Sequence, residues 1–313
     1  MAKAWISGIY PRSEKLIEAT RKHDKNLPNM FNEEKRKIIR LQVESGLDYV
    51  SDPLIDWDDM LRPFTDGMKG TSRGALDRFY ENNIFYRQPI ISDQLDTSGT
   101  ILEDSIALNL FSKRRKWKID VLDPYSMADL AKDRFYGDKE KLMFAFASVI
   151  ARELSVMSKD SPALVQFNAP SLARLRDTDL ISQAKEAIRV ITRKLKANTC
   201  LHLYFGDVSP TLDQFLDFGV DIIGIDFIRT EIESIAGTSL TKGLACGFVD
   251  AQNTKLETPR EIFDFTMKAK ELLDPRSIAI IPNCDLEFVP QPFAKRKVTN
   301  IGKAAKIARR NGI

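Results

Sequence analysis

The sequence lacks long apolar runs and has few cysteines. No stretch approaches the roughly 18 uninterrupted apolar residues of a transmembrane helix, which excludes that class of membrane protein. The opening residues, Met1–Trp5, lack the apolar core and the small-residue cleavage site of a signal peptide. The three cysteines, Cys200, Cys246 and Cys284, are too few and too scattered for a disulfide framework. Their scarcity predicts a reducing compartment, the cytoplasm.

Charge of one sign is also lacking. The chain of 313 residues has 47 basic and 44 acidic residues, a net charge of +3, which does not favour nucleic acid or an anionic membrane as the main partner. The tail, residues 294–313, carries seven basic residues and no acid, and we interpret it as a final helix with a solvated cationic face. Histidine is limited to His23 and His202, so any histidine-based chemistry falls on one of these two.

Short β-type runs alternate with helix-period patterns along the chain. The eight β-type runs are Trp5–Gly8, Asp48–Ser51, Trp117–Leu122, Ala163–Asn168, Thr199–Phe205, Val220–Asp226, Leu244–Asp250 and Ile278–Pro282. Helical patterns cover Glu33–Glu44, Lys139–Met157, Asp179–Lys196, Thr211–Leu216, Pro259–Leu273 and Ala294–Arg309. This alternation predicts an α/β fold, a single (β/α)₈ TIM barrel over residues 1–313. An open doubly wound sheet is the alternative, but Gly8-Ile9-Tyr10-Pro11 is not the Gly-rich phosphate turn that usually follows its first strand.

Residues 52–116 interrupt this rhythm. They separate the second and third predicted strands by a distance too long for a structureless loop in a compact domain. The segment is rich in aromatic residues, which favours an additional small core, and it carries four arginines, Arg62, Arg73, Arg78 and Arg87. We predict an ordered insertion of hairpins and short helices over the C-terminal mouth of the barrel. A lid or a docking surface is compatible with that packing.

Function in a TIM barrel gathers at the C-terminal ends of the strands. Three residues at such ends, His202, Asp226 and Cys284, have the ligand chemistry of zinc, and zinc ionises a bound thiol. Each has a plainer reading. A lone histidine in a strand is more often a core residue, Cys284 can pack as a small hydrophobe, and Asp226 can cap a turn.

Five segments in order resemble the cobalamin-independent methionine synthase family. They are Ser7-Gly8-Ile9-Tyr10-Pro11-Arg12-Ser13, Gln42-Val43-Glu44-Ser45-Gly46-Leu47-Asp48, Val165-Gln166-Phe167-Asn168-Ala169-Pro170-Ser171-Leu172, Gly247-Phe248-Val249-Asp250 and Pro282-Asn283-Cys284-Asp285-Leu286. The resemblance implies a TIM barrel that takes part in methyl transfer to homocysteine. Family members commonly have two barrels, of which the C-terminal one holds zinc and homocysteine and the N-terminal one helps to hold the folate.

Departures from the zinc barrel's pattern make this chain most similar to a free-standing N-terminal barrel of the split archaeal type. Tyr204 matches a zinc-ligating cysteine, Asp226 matches a glutamate, Asn168 matches the aspartate that binds homocysteine, and Leu54 matches another acid. The resemblance and the strand ends together give a substrate or methyl-donor pocket at Ser7, Tyr10, Arg12, Asp52, Asn168 and Asp250.

Two functions follow from the resemblance. In the first, the chain pairs with a separate zinc-bearing barrel and presents a methyl donor, a methylated tetrahydropterin or a methyl-corrinoid. The acidic tail of a pterin donor would meet the arginines of the insertion and Lys255. In the second, the chain is a stand-alone homocysteine methyltransferase with zinc on His202, Asp226 and Cys284. An unrelated chemistry on the same fold stays open as a third possibility.

Overall fold

A parallel eight-stranded sheet forms the centre of the molecule. The computed structural model describes residues 1–112 and 114–313. Among these, the chain forms eleven strands, β1 to β11: Lys3–Ala4, Val50–Ser51, Lys69–Arg78, Phe85–Asp96, Trp117–Leu122, Lys132–Asp133, Leu164–Asn168, Asn198–Leu203, Ile222–Asp226, Gly243–Val249 and Ser277–Pro282. The central sheet has the order β1-β11-β10-β9-β8-β7-β5-β2, so each of its strands lies beside its neighbour in the chain. This is the (β/α)₈ barrel predicted from the sequence.

The two ends of this strand order meet. The main-chain N–H of Asp48, just before β2, donates to the carbonyl oxygen of Ala4 in β1 at 2.8 Å. The N–H of Ala4 in turn donates to Oδ2 of Asp48 at 2.8 Å. β1 is shorter and earlier than the predicted run from Trp5 to Gly8, because Gly8 has a left-handed φ of +52° that turns the chain away from the ladder.

Helices cover the outside of the barrel. The described residues form eleven α-helices, α1 to α11: Glu14–Arg21, Leu27–Ser45, Arg62–Gly67, Ile101–Ser105, Pro124–Leu130, Lys139–Met157, Pro170–Arg174, Thr178–Thr192, Leu212–Leu216, Pro259–Leu273 and Gln291–Arg310. The predicted bounds of α6 and α10 are confirmed at both ends. At α10 the reason is local: Thr258 and Glu261 form a reciprocal capping box, and Pro259 occupies the first turn.

Residues 52–116 are ordered where the structure describes them. β3 and β4 form an antiparallel hairpin flanked by the short helices α3 and α4, and β6 joins the hairpin as a third strand. Asp52 ties the two ends of the segment together, because its carboxylate accepts from the N–H of Leu54 and from the N–H of Ala107, both at 2.8 Å. At the tip of the hairpin, the Tyr80 hydroxyl lies 2.6 Å from Ser171 Oγ in α7.

The barrel interior has an apolar lower layer. Leu164 and Ile222 open β7 and β9, so this layer lies toward the amino ends of the strands. We call it the floor layer, and it consists of Trp5, Tyr49, Leu164, Cys200, Ile222, Ala245, Ala279 and Ile281. No helix that the structure describes is long and apolar enough to span a membrane.

Candidate functional site

A hydrogen-bond chain rises from the floor layer toward the carboxyl ends of the strands. The indole Nε1–H of Trp5 donates to Oε1 of Gln166 at 2.7 Å. Because an indole can only donate, this contact fixes which end of the Gln166 amide is oxygen. The Gln166 NH₂ group therefore faces upward, where it lies 2.9 Å from Ser7 Oγ, 2.7 Å from Asn168 Oδ1 and 3.3 Å from His202 Nδ1.

These contacts also assign the histidine tautomer. His202 is buried, and desolvation together with the nearby Lys118 charge lowers its pKa to about 3, so the ring is neutral. Gln166 can only donate to Nδ1, and the Ser7 hydroxyl lies 3.2 Å from the same nitrogen. Nδ1 is thus the acceptor, and Nε2 carries the hydrogen. By the same logic Asn168 gives its oxygen to Gln166 and leaves its NH₂ group free.

Two buried acids, Asp120 and Asp285, lie near this hydrogen-bond chain, and Asp120 pairs with Gln166 in the register of β5 and β7. Lys118 and Asp120 project from the same face of β5, and Lys118 Nζ lies 2.5 Å from both carboxylate oxygens of Asp120. Asp285, three residues after β11, has no such partner, and burial with the neighbouring Asp120 charge raises its pKa to about 7. A Cβ at position 8 would lie 2.0 Å from Asp285 Oδ1, so only glycine there lets this carboxylate rest against the main chain.

Buried polar atoms without partners concentrate at this end of the barrel. In the described part of the chain ten buried side-chain nitrogen and oxygen atoms make no hydrogen bond. Five of the ten belong to four residues that we call the polar mouth, Asn168, His202, Tyr204 and Asp285: Nδ2, Nε2, the hydroxyl and both carboxylate oxygens. Because an unpaired buried polar group costs about 1–3 kcal/mol, such a concentration is typical of a ligand site.

The members of the polar mouth are neighbours. Asn168 pairs with His202 in the register of β7 and β8. The rings of His202 and Tyr204 are 5.0 Å apart. Burial and then the adjacent Asp285 carboxylate hold the pKa of Tyr204 well above its ordinary value. Ser7 and Asn168, both predicted pocket residues, are therefore placed together with His202.

The three residues with zinc-ligand chemistry do not form a metal site. Both oxygens of Asp226 are occupied, one by the N–H of Phe205 at 3.1 Å and the other by the N–H of Ile228 and the Asn283 amide. Burial and surrounding acids raise the pKa of the Cys284 thiol well above its ordinary value. Within residues 1–112 and 114–313, no group of three or more His, Cys, Asp or Glu side chains is placed to hold a metal ion. The donor set as folded does not fit zinc.

The remaining predicted pocket residues hold loops. Tyr10 is buried, and its main-chain N–H donates to Pro53. Arg12 donates to the carbonyl oxygens of Ile55 and Trp57 at the start of the insertion. Asp52 binds the buried Lys35 at 3.0 Å in addition to its main-chain contacts. Asp250 accepts from the N–H of Gln252 at 2.8 Å, within a turn. These four contacts order the loops around the site.

An arginine-lined groove lies outside the polar mouth. Its volume is about 350 Å³, and its walls include Tyr80 of the insertion and Phe205, which follows β8. Three arginines from the loops after β7 and β9 line it, Arg174, Arg176 and Arg229. The four arginines of the insertion do not, because they bind acids, a carbonyl oxygen or an aromatic ring within the insertion itself. Lys255 is exposed outside this groove.

Two aromatic residues with unusual backbones separate the groove from the polar mouth. Tyr80 and Phe205 have φ values of +54° and +66°, a region that bulky residues rarely adopt. Their rings are 5.5 Å apart, and the Phe205 ring lies 4.7 Å from that of Tyr204. Backbone strain of this kind costs about 1–3 kcal/mol and clusters at functional sites.

Sequence reasoning missed several residues of this site. Gln166 lies two positions before Asn168, and Lys118 lies two positions before Asp120, so strand alternation was enough to place each pair on one face. Asp285 had no such signal, because it lies beyond the end of β11, where alternation no longer predicts direction.

Comparisons with known proteins agree with this architecture. The family model described as "Cobalamin-independent synthase, Catalytic domain" matches residues 8–307. A methionine synthase of Saccharolobus solfataricus is 24% identical over 97% of this chain and 94% of its own length.

Solved structures share the fold. A B12-independent methionine synthase from Shewanella sp. W3-18-1, in complex with selenomethionine, aligns with a TM-score of 0.73 at 18% identity and covers 92% of this chain and 90% of its own. A putative vitamin-B12-independent methionine synthase from Listeria monocytogenes aligns with a TM-score of 0.76 at 15% identity over 98% of both chains.

The family model matches nearly the whole chain and is that of the catalytic domain, whereas the sequence segments were most similar to the N-terminal barrel. Methyl transfer in methionine biosynthesis is the reaction of this family. The predicted family is confirmed: the chain belongs to the cobalamin-independent methionine synthases.

Proposed function

We propose that this barrel takes part in methyl transfer to homocysteine as a subunit that lacks its own thiol-activating zinc and acts with a separate zinc-bearing barrel. One observation carries the proposal: both oxygens of Asp226, which matches a zinc ligand, are engaged by other partners, and Tyr204 stands where a second thiolate ligand belongs. Asp226 receives three hydrogen bonds, and the Cys284 thiol is buried among acids that oppose its ionisation.

The polar mouth supports a role in holding the methyl acceptor. It lies at the carboxyl ends of the strands, where TIM barrels bind substrates. The Shewanella structure is of a complex with selenomethionine, an amino acid of the product's class. In the proposed reaction the thiolate sulfur of homocysteine forms a bond to the methyl carbon while the bond from the methyl to the donor breaks, and the electron pair of that bond stays with the donor. A zinc ion held by the partner would favour ionisation of that thiol.

The arginine-lined groove supports a place for the methyl donor. Reduced pterins carry acidic tails, and arginine makes strong, directional hydrogen bonds to carboxylates. We propose Arg174 and Arg229 for this contact because each has few polar contacts among the described residues. Arg174 has one ion pair, with Glu81 at 3.1 Å, and Arg229 has one long hydrogen bond, to Gln252 at 3.4 Å. Arg176 is committed to main-chain carbonyl oxygens.

In this proposal the insertion covers the C-terminal mouth of the barrel and so completes the site. Four contacts made by three of its residues support this placement. Tyr80 meets Ser171 after β7 and Phe205 after β8, Asn82 accepts a hydrogen bond from Gln252 after β10, and Glu81 pairs with Arg174 at 3.1 Å.

The test is a methyl-transfer assay with homocysteine and several methyl donors, using the chain alone and with a candidate zinc-barrel partner. We expect little or no methionine from the chain alone and formation of methionine with the partner. Arg229→Ala should raise the concentration of pterin donor needed for half-maximal rate. Arg260→Ala, an exposed arginine on α10, is the matched control. Turnover by the chain alone that His202→Ala or Cys284→Ala abolishes would contradict the partner role.

A stand-alone zinc-dependent homocysteine methyltransferase is the second candidate. The match to the catalytic-domain model over residues 8–307 favours it, as does the single-barrel length of the Saccharolobus relative. It requires Asp226 to release its hydrogen-bond donors and Cys284 to ionise. Zinc content of the purified chain separates the two: close to one zinc per chain supports the second candidate, and no zinc after growth with added metal supports the first.

A further inference from the structure

The last helix, α11, carries basic side chains that the fold does not use. Two of the seven basic residues in the tail are engaged within the protein: Lys297 binds Glu257 at 2.8 Å, and Arg309 binds Asp48 at 2.9 Å. The other five are exposed and have no ion pair within residues 1–112 and 114–313. We call these five the cationic stripe: Lys295, Arg296, Lys303, Lys306 and Arg310.

The cationic stripe runs along one side of α11. At about 100° per residue, its five members fall within an arc of about 100° on the helix surface. From Lys295 to Arg310 it extends about 22 Å at 1.5 Å per residue. The opposite side of the helix, which includes Val298 and Ile301, is buried. The stripe is therefore a straight row of positive charge that faces solvent.

Helix stability does not account for this row. Cations stabilise the last turn of a helix, but Lys295 and Arg296 lie near the start of α11, where the helix dipole offers a cation no stabilisation. Members of the stripe that are three or four residues apart repel one another. On the adjacent α10, by contrast, the exposed Arg260 is paired with Asp264 four residues later. The repulsion in α11 has no such compensation among the described residues.

A groove runs beside the first half of the stripe. Its volume is about 520 Å³, and it lies between α11 and the loop that follows β10. Leu256 and Pro292 give this basic groove an apolar part, and Thr299 and Asn300 add polar side chains. Three cations of the stripe line it, and none of its described lining residues is acidic. The groove therefore suits a segment that carries both acidic and short apolar side chains.

Three classes of anionic partner are compatible with a row of cations: nucleic acid, a membrane surface and an acidic protein segment. Nucleic acid is disfavoured by the net charge of only +3 and by a groove without aromatic side chains for base stacking. Helices that lie on membranes insert large apolar side chains, and none of the exposed large apolar residues described belongs to α11. Acids repeated every three or four residues on one helix face match the stripe in charge and in length.

We propose that the cationic stripe and the basic groove bind an acidic helical segment of another protein. The surface lies on the outside of the barrel, so this inference does not rest on the proposed function. It assigns a role to the acid-free tail, which methyl transfer leaves without one. Complementary charges of this kind steer association and make it sensitive to salt.

The test measures binding of labelled probes to the full chain by fluorescence anisotropy, and by cosedimentation for vesicles. The first peptide is alanine-rich, longer than about 15 residues so that it forms a helix, and has five glutamates on one face. The second peptide has the same five glutamates distributed around the helix. The other probes are a single-stranded DNA oligonucleotide and vesicles of phosphatidylserine and phosphatidylcholine.

We expect the first peptide to bind about 10-fold or more tightly than the second, because only its charges meet the stripe together. Its affinity should fall as the ionic strength rises from about 0.01 M to about 0.15 M, since the Debye length then shrinks from about 30 Å to about 8 Å. These comparisons need no variant of the protein.

A pair of charge reversals then assigns the surface. Lys295→Glu/Lys303→Glu should weaken binding of the first peptide by about 10-fold or more. Lys194→Glu/Lys196→Glu is the matched control, because it changes the net charge equally at exposed lysines outside α11. At about 0.15 M ionic strength the control should leave the affinity within about 2-fold of the wild type, since distant charges are screened.

Every other outcome would overturn the inference. Equal binding of the two peptides, or no binding of the first at low salt, would mean that the stripe does not recognise an acidic helix face. Tighter binding of the oligonucleotide or of the vesicles would replace the acidic protein segment by another class of partner. An equal loss in the two variants would place the binding outside α11. Methyl transfer, with or without the partner barrel, does not enter these measurements.

Discussion

The two ends of the barrel interior differ in whether their polar side-chain atoms have hydrogen-bond partners. The floor layer is apolar, and its polar atoms are paired: Trp5 donates to Gln166, and the Tyr49 hydroxyl accepts from Lys3 at 2.9 Å. The polar mouth, a few residues further along the same strands, leaves atoms of all four of its residues unpaired. One set of parallel strands thus carries one end whose polar atoms are paired and one end with unpaired polar atoms, and the Trp5–Gln166 contact joins the two.

Removal of the floor's largest side chain should have the largest effect. Trp5→Ala leaves a cavity in the floor layer and frees the Gln166 amide to rotate. We expect a loss of about 3–5 kcal/mol in the free energy of unfolding, measured by urea denaturation. Trp5→Phe keeps most of the volume and serves as the control. A loss below about 1 kcal/mol for Trp5→Ala would contradict the assignment of stability to this layer.

The buried pair between the two layers should come next. Lys118→Met leaves the Asp120 charge buried and unpaired, which costs about 3 kcal/mol or more. The double variant Lys118→Met/Asp120→Asn removes both charges and keeps an acceptor for the N–H of Gly8, so it should recover most of that stability. The measurement is a double-mutant cycle by denaturation. If the double variant were as unstable as Lys118→Met, the loss of stability would come from changed packing and not from the unpaired Asp120 charge.

The third prediction concerns pH. Burial raises the pKa of Asp123 to about 7, above its unfolded value of 3.8. The folded state therefore binds a proton that the unfolded state lacks between these values, and Asp123's contribution to stability is present at low pH and is lost as pH rises through about 7. Relative to the wild type, Asp123→Asn should gain roughly 1–3 kcal/mol between pH 5 and pH 8. Parallel pH profiles of the two proteins would contradict this.

The smallest effect on stability is expected at the polar mouth. Tyr204→Phe deletes a hydroxyl that has no partner and keeps the ring contacts with His202 and Phe205. The free energy of unfolding should change by less than about 1 kcal/mol, and it should rise if it changes at all. Methionine affinity should fall if the hydroxyl contacts the ligand. A large destabilisation would mean that the hydroxyl is paired within the protein.

Much of the fold was predictable because it depends on local periodicity. Seven of the eight barrel strands lie within about two residues of their predicted bounds, and β1 is the exception. The helices α6 and α10 begin and end at the predicted residues. The insertion was predicted to contain hairpins and short helices, and β3, β4, α3 and α4 confirm this. The short helices α5 and α7 were not predicted, because five to seven residues carry too little periodicity for detection.

The site was predictable only in part. Ser7, Asn168 and His202 were placed in one region from their strand ends, and the structure joins them through Gln166. Tyr10, Arg12, Asp52 and Asp250 hold loops in the structure, and their part in a substrate or methyl-donor pocket stays a prediction. For Tyr10, Arg12 and Asp52 these contacts depend on partners distant in sequence.

The sequence by itself determined the barrel, its family and the types of side chain at the strand ends, because strand alternation and motif order are properties of the chain alone. Only the tertiary structure decided which of those side chains are free. Asp226 is occupied because Phe205 and Asn283 fold onto it, whereas the Asp285 carboxylate rests against Gly8, whose lack of a Cβ gives it room. Hydrogen-bond satisfaction depends on neighbours that are tens to hundreds of residues apart, and no local pattern records it.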